Sequence, residues 1–266
     1  MSELSTVRVE REGPVARVTL ARPKVRNAFD EVVIEELTRV FLSFTGEPET
    51  RVVVLAGEGP VFCAGADVEW MRRAGSWSRI ENETDAERMA RMLRSIDDCP
   101  RPVVALVRGA AIGGGVGLVA ACDVAVAAED AVFSLSEVKL GILPAVISPY
   151  VLRAIGPREA RRWFLTGERF GAAEARRIGL VHEIAAPAEV SAVADRLVSA
   201  LLTSAPDAVA IAKRVIAEVA GQSPEVAMPL TVRTIAERRA SEEAKEGLTA
   251  FLEKRPPAWA PKKPAP

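Results

Sequence analysis

The sequence predicts an α/β fold with a helical C-terminal region. Three observations carry that prediction. Short apolar runs at Val52–Ala56 and Val103–Val107, with a third at Asp123–Ala127, read as buried parallel strands. Glycine-rich loops and amphipathic segments stand between them, which is the strand–loop–helix alternation of right-handed crossovers. After about Pro187 the strand signals stop and helical periodicity alone remains.

The chain opens on a hairpin. Val7–Glu10 and Val15–Leu20 alternate apolar and polar residues around Glu12-Gly13-Pro14. Arg22-Pro23-Lys24 breaks that pattern. Asp30 suits the N-cap of a helix with Val33, Ile34, Leu37, Val40 and Phe41 on one face. Behind the Val52–Ala56 strand comes a glycine-rich loop, Gly57–Asp67. A charged helical region then runs to about Cys99, with Gly75–Asp85 expected to be irregular and mobile. Val103–Val107 leads into a glycine-rich turn and an apolar helix from about Gly114 to Ala121, and Val132–Ser136 reads as a short fourth strand. Helices are expected near 188–203, 206–220 and 228–253. The proline-rich tail Arg255–Pro266 is expected to be disordered or docked on a neighbouring subunit. The expected division is a core over 1–187 and a helical region with its tail over 188–266.

Composition narrows the partners. The 266 residues carry 35 Lys plus Arg against 36 Asp plus Glu, a net charge of −1. That balance gives no electrostatic reason to expect nucleic acid or an anionic membrane. Cys63, Cys99 and Cys122 are widely spaced and lie in apolar segments, as expected of a reducing compartment without disulfides. With His182 as the one histidine, no metal site built on His and Cys is expected. The N-terminal MSELSTVRVERE has glutamates and no apolar segment of a secretory signal. No run of about 18 uncharged apolar residues suggests a membrane span. A cytoplasmic globular protein is the expectation.

Two loops share one design. Phe62-Cys63-Ala64-Gly65-Ala66-Asp67 and Gly109-Ala110-Ala111-Ile112-Gly113-Gly114-Gly115-Val116-Gly117 each follow a buried strand and open a helix. Helix N-termini present free N–H groups and partial positive charge. Small residues let a substrate oxygen approach them. Side by side, the two loops could form a two-donor oxyanion hole, each donor worth about 3–4 kcal/mol in acyl chemistry. The plain alternative is that these glycines only permit tight turns and close packing. A third reading is a dinucleotide fingerprint, GxGxxA over Gly115, Gly117 and Ala120 with Glu137 further on, but the triple glycine extends on the wrong side of that pattern.

Glu137 lies among Phe133, Leu135 and Val138, where an apolar pocket would raise its pKa and let it hold a proton near neutrality. The alternative is a surface glutamate paired with Lys139 or an arginine. No GxSxG elbow is present, and His182 reads as structural. Cys63 beside the first glycine loop could be a thiolate, though burial as a small apolar residue suits it better.

Arg22-Pro-Lys-Val-Arg-Asn-Ala, Phe62-Cys-Ala-Gly-Ala-Asp, Gly113-Gly-Gly with Ala121-Cys-Asp, Ser136-Glu-Val-Lys-Leu-Gly-Ile-Leu-Pro and Leu165-Thr-Gly-Glu-Arg-Phe stand in order from about Val7 to Trp259. This resembles the crotonase, or enoyl-CoA hydratase/isomerase, superfamily. The stretches from Val138 to Pro149 and from Glu246 to Arg255 resemble bacterial methylglutaconyl-CoA hydratases and related branched-chain hydratases.

The resemblance implies a crotonase-like spiral of ββα units with a C-terminal helical region, assembled as a trimer or a dimer of trimers. It implies an acyl-CoA thioester substrate, with coenzyme A part of the substrate and no separate cofactor. Such enzymes serve fatty acid or leucine degradation. By motif match the N–H groups of Ala66 and Gly114 would bind the thioester oxygen, and Glu137 would transfer a proton. Ala64, Asp67 and Val68 would line the pantetheine path, and Lys24 and Arg26 would meet CoA phosphates or adenine. Phe251 and Lys254 would cover a neighbouring active site.

One departure matters. Hydratases of this superfamily with two glutamates carry one at the position of Gly117. Its absence leaves three expectations. They are hydration of a branched enoyl-CoA such as 3-methylglutaconyl-CoA, Δ3,Δ2 isomerisation by a single carboxylate, and a paralogue that binds acyl-CoA without turnover. The missing side chain is also expected to open space beside the β-carbon. Ala145 and Gly117 both lack the acids of dienoyl-CoA isomerases. Arg72, Arg73 or Arg153 could meet a distal carboxylate.

Overall fold

The computed structural model describes residues 4–261. Nine strands occur among them: β1 (Val7–Glu12), β2 (Val15–Leu20), β3 (Val52–Gly57), β4 (Val103–Val107), β5 (Ala110–Ile112), β6 (Val124–Ala128), β7 (Val132–Ser134), β8 (Arg169–Gly171) and β9 (Glu183–Ala185). Ten helices accompany them: α1 (Glu31–Ser43), α2 (Val68–Ala74), α3 (Arg79–Asp97), α4 (Gly114–Ala121), α5 (Ser148–Thr166), α6 (Ala172–Arg177), α7 (Val190–Leu202), α8 (Pro206–Val219), α9 (Pro224–Ala240) and α10 (Glu242–Leu252).

The main sheet runs β1-β2-β3-β4-β6-β9, antiparallel at the β1–β2 hairpin and parallel from there on. A small second sheet runs β5-β7-β8. The continuous apolar runs are explained by burial of both faces. Val53, Leu55, Val103, Ala105 and Val107 face one core with α1, α3 and α4. Val52, Val54, Val104 and Leu106 face a second with Val190, Ala194 and Val198 of α7.

Glu36 fixes the entry of the chain. It is 5% exposed on α1 and accepts from the N–H groups of Ser5, Thr6 and Val7 and from the hydroxyls of Ser5 and Thr6, at 2.6–3.0 Å. Burial works against the charge, but the bonds from Ser5 and Thr6 together hold this carboxyl below its usual value. Its stabilisation is therefore complete above the unfolded-state carboxylate value and fades as pH falls through the depressed folded one. Glu36→Gln is expected to cost about 2–4 kcal/mol at neutral pH, from lost charge-assisted bonds. It should also flatten the acid side of the stability curve measured by urea unfolding.

Three expectations are corrected. The segment Gly75–Asp85 is not irregular throughout, because α3 starts at Arg79 behind a capping box: Ser78 Oγ accepts from Glu81 N–H, and Glu81 Oε2 accepts from Ser78 N–H. The expected helix 228–253 is two helices, since Ser241 ends α9 and caps α10 by accepting from Ala244 N–H. The tail over 255–261 docks on its own chain. Trp259 Nε1 donates to Thr203 O, and the Arg51 guanidinium donates to Leu202 O, Ser204 O and Trp259 O. Residues 262–266 lie outside the described ones. Among the described residues no helix is long and apolar enough to cross a membrane.

Candidate active site

Short parallel pairings bring three separate segments to one point. Cys63 bridges Ala111, with Cys63 N–H donating to Ala110 O and Ile112 N–H donating to Cys63 O, both at 3.0 Å. Ile112 in turn pairs in parallel with Ser134, and Gly113 N–H donates to Ser134 O at 2.8 Å. Cys63 is level with Ala111 and Ala111 with Phe133, and Ala66 and Gly114 stand three residues beyond that level and Glu137 four. Parallel chains leaving a ladder in step arrive together, and all three residues line one pocket of about 260 Å³.

The orientation of two N–H groups follows from the same pairings. Phe29 bridges Ala66 in parallel and exchanges its bonds with Gly65 and Asp67, so Ala66's own N–H points away from that ladder. Gly114 is the first residue of α4, where an N–H has no acceptor within the helix.

The glycines are fixed by neighbours. Gly113 has a φ of 52°, and a Cβ on it would stand 3.0 Å from Glu137 Oε1. The carboxylate thus lies against bare α-carbon. A Cβ on Gly114 would stand 2.6 Å from Phe29 Cε1 and collide with the ring edge. Position 117 overturns an expectation. A Cβ there would collide with Ile147 Cγ2 and stand 2.8 Å from Ile147 Cβ. Gly117 opens no space beside the site, because Ile147 fills it.

Glu137 sits in the first turn of a short 3-10 segment, Ser136–Leu140, above the buried Phe133 and Leu135. Burial raises its pKa, against a smaller opposing pull from its own N–H. Its Oε2 is buried with no hydrogen-bond partner, and no ion pair forms on it among the described residues. The alternative of a surface glutamate paired with Lys139 is therefore not realised.

The other predicted residues divide. Ala64 lines the pocket, and its N–H donates to Arg26 O, which sets Lys24 and Arg26 on an exposed turn beside the first loop. Asp67 is engaged structurally: it caps α2 by accepting from Glu69 and Trp70 N–H and pairs with Arg22 at 3.2 Å. Val68 is 76% exposed and does not line the pocket. Phe251, 80% exposed, and Lys254 stand at the end of α10 and do not line the pocket of their own chain.

Burial pushes the Cys63 thiol up to about 12, which removes it as a thiolate near neutrality. His182 Nδ1 accepts from Ala125 N–H, a structural link between strands. Gly115 and Gly117 lie inside α4 rather than in a loop that could cradle a pyrophosphate. Arg72, Arg73 and Arg153 pair with Glu69, Glu31 and Asp97 and do not line the pocket.

Two residues escaped the sequence reading. Asp85 and Trp70 both line the pocket. A signal for Asp85 was present, since it heads the stripe Met89, Met92, Leu93 and Ile96 along α3. A carboxyl on an apolar stripe invites a reason.

The enoyl-CoA hydratase/isomerase family matches residues 10–262. An enoyl-CoA hydratase structure from Shewanella pealeana is 41% identical, covers 97% of each chain and superposes with a TM-score of 0.93. The short-chain-enoyl-CoA hydratase of Clostridium acetobutylicum is 32% identical over 95% of this chain and 97% of its own length. The mevalonyl-coenzyme A hydratase of Aspergillus fumigatus is 34% identical over 92% and 91%. Fold and pocket together define a chain of the crotonase superfamily. The chain belongs to its enoyl-CoA hydratase/isomerase family, and the expectation of a hydratase-class enzyme agrees with these relatives.

Proposed function

We propose that this chain adds water across the 2,3-double bond of an enoyl-CoA thioester. The observation that carries the reading is the convergence of Ala66, Gly114 and Glu137 on one pocket. The N–H groups of Ala66 and Gly114 hold the thioester oxygen as it becomes an enolate, each contributing about 3–4 kcal/mol to the transition state. Ionised Glu137 takes a proton from water as the water oxygen bonds to C3, and then delivers that proton to C2. One water supplies both atoms, so a single carboxylate suffices. No resident cofactor is needed, coenzyme A being part of the substrate.

Lys24 and Arg26 stand beside the first loop, as a partner for CoA phosphates would require. The exposed Met228, Val232, Ile235, Leu248, Phe251 and Leu252 of α9 and α10 support assembly into a trimer or a dimer of trimers. In such an assembly Phe251 and Lys254 would face a neighbour's site. The resemblance singles out a C3-branched acyl group such as 3-methylglutaconyl, whose far carboxylate meets no Lys or Arg among the lining residues of this chain.

Closure of position 117 by Ile147 favours one second reading, Δ3,Δ2 isomerisation by Glu137 alone. Turnover of 2-enoyl and 3-enoyl CoA thioesters in heavy-oxygen water separates the two. Hydration places the label in the product. An unlabelled, double-bond-shifted product from the 3-enoyl substrate, with no hydration of the 2-enoyl one, would reject the hydratase.

A further inference from the structure

Resting on the reading of this pocket as the acyl-thioester site, we infer that Asp85 and Trp70 form a polar end to it. That end takes a hydroxyl group on the acyl chain and disfavours an acyl chain ending in a carboxylate.

The pocket wall is mostly apolar, and its charged side chains are Glu137 and Asp85 alone. Glu137 is accounted for by its place against Gly113. Asp85 is not. It stands one turn before Met89 on α3, and Met89 Cε would lie 3.1 Å from a Cβ on Gly114. Four residues advance a helix by about 6 Å, so Asp85 stands about that far along α3 from Met89. Trp70, 6% exposed and packed on Phe29, lines the same wall.

The two polar groups face each other, and the indole N–H is not fully satisfied. Trp70 Nε1 is buried without a hydrogen bond of normal geometry, yet lies close enough to favour the ionised Asp85 carboxyl. Burial raises the Asp85 pKa most, with Glu31 adding to the rise and Trp70 and Arg88 opposing it. A buried donor and a desolvated acceptor side by side are costly until something joins them. A hydroxyl does so with one atom, accepting from the indole N–H and donating to the carboxylate. A methyl group satisfies neither. A carboxylate can accept from Trp70 but brings like charge against Asp85. Arg72, Arg73 and Arg153 are engaged with Glu69, Glu31 and Asp97, and Arg88, whose charge acts on Asp85, does not line the pocket.

Three CoA thioesters of one carbon skeleton test this: 5-hydroxy-3-methylpent-2-enoyl-CoA, 3-methylpent-2-enoyl-CoA and 3-methylglutaconyl-CoA. They differ only in whether C5 is a hydroxymethyl, methyl or carboxylate group. The wild type should give the highest kcat/KM with the hydroxyl substrate, about tenfold above methyl, and the lowest with carboxylate. Asp85→Asn and Trp70→Phe should each erase the hydroxyl advantage mainly through KM, and Asp85→Asn should improve the carboxylate substrate. Crotonyl-CoA, which lacks the C5 group, serves as the reference substrate, and urea unfolding of each variant reports on folding.

Crotonyl-CoA and methyl turnover without a hydroxyl preference, or a carboxylate preference, would overturn the inference while leaving the proposed reaction standing. An equal loss on all substrates would reduce Asp85 to a structural role and overturn it too. Failure to bind or turn over any of the thioesters would overturn both.

Discussion

Glu137→Gln should lower kcat for enoyl-CoA hydration by about 10²–10⁴-fold, the usual range for a positioned acid–base group. The amide keeps the shape of the side chain but cannot carry the proton. KM should change little, since the thioester oxygen is held by Ala66 and Gly114 rather than by the carboxyl. Wild-type activity should fall toward acid along a limb lying above the usual carboxylate range, because burial raises this group and its ionised form is the base. That limb should vanish in the variant. Stability supplies an independent check. A carboxyl raised by folding stabilises fully below its unfolded value and loses that contribution as pH rises through the folded one. Neutral Glu137→Gln escapes this loss, so it should unfold at higher denaturant than the wild type at neutral pH. Undiminished turnover in Glu137→Gln would remove this residue from the mechanism.

The second large effect concerns the position where a two-glutamate hydratase has its other carboxylate. Gly117→Glu should not create a better hydratase. It should cost about 3 kcal/mol or more, since the new Cβ collides with Ile147 and a carboxylate is forced into the buried α4. Activity should be lost with the fold. Ile147→Gly alone opens a cavity and is also destabilising. Combined, the two changes should cost less than the sum of the singles, because each relieves the other. Urea unfolding of the four proteins measures that coupling, and strict additivity would show that Ile147 does not occupy the place of a side chain at 117.

Much of the frame was legible from residues alone. β3 and β4 are visible because burial on both faces demands unbroken apolar runs, and α1 because Asp30 caps a clear stripe. β5 was hidden: it is three residues long, embedded between glycines, and held by pairing with distant chain rather than by its own pattern. α5 was hidden by Gly156, whose φ of 73° and ψ of 162° interrupt the helix ahead of Pro157. Sequence spacing alone favoured a surface place for Glu137. The deciding fact is the register of β5 against β7, which links residues 22 apart in the chain. Position 117 misled for a related reason. A missing side chain reads as empty space until the segment that fills it, here Ile147 some 30 residues on, is in view.

The in-step arrival of three segments has a consequence for how such a protein can change over generations. Inserting or deleting one residue between Cys63 and Ala66, Ala111 and Gly114, or Ser134 and Glu137 would rotate a single amide or carboxyl out of convergence while the fold remained intact. Innovation in the choice of acyl group is thereby channelled away from the loops themselves. It falls instead to residues delivered by neighbouring helices, such as Trp70 on α2 and Asp85 on α3, which lie outside the segments that hold the carbonyl.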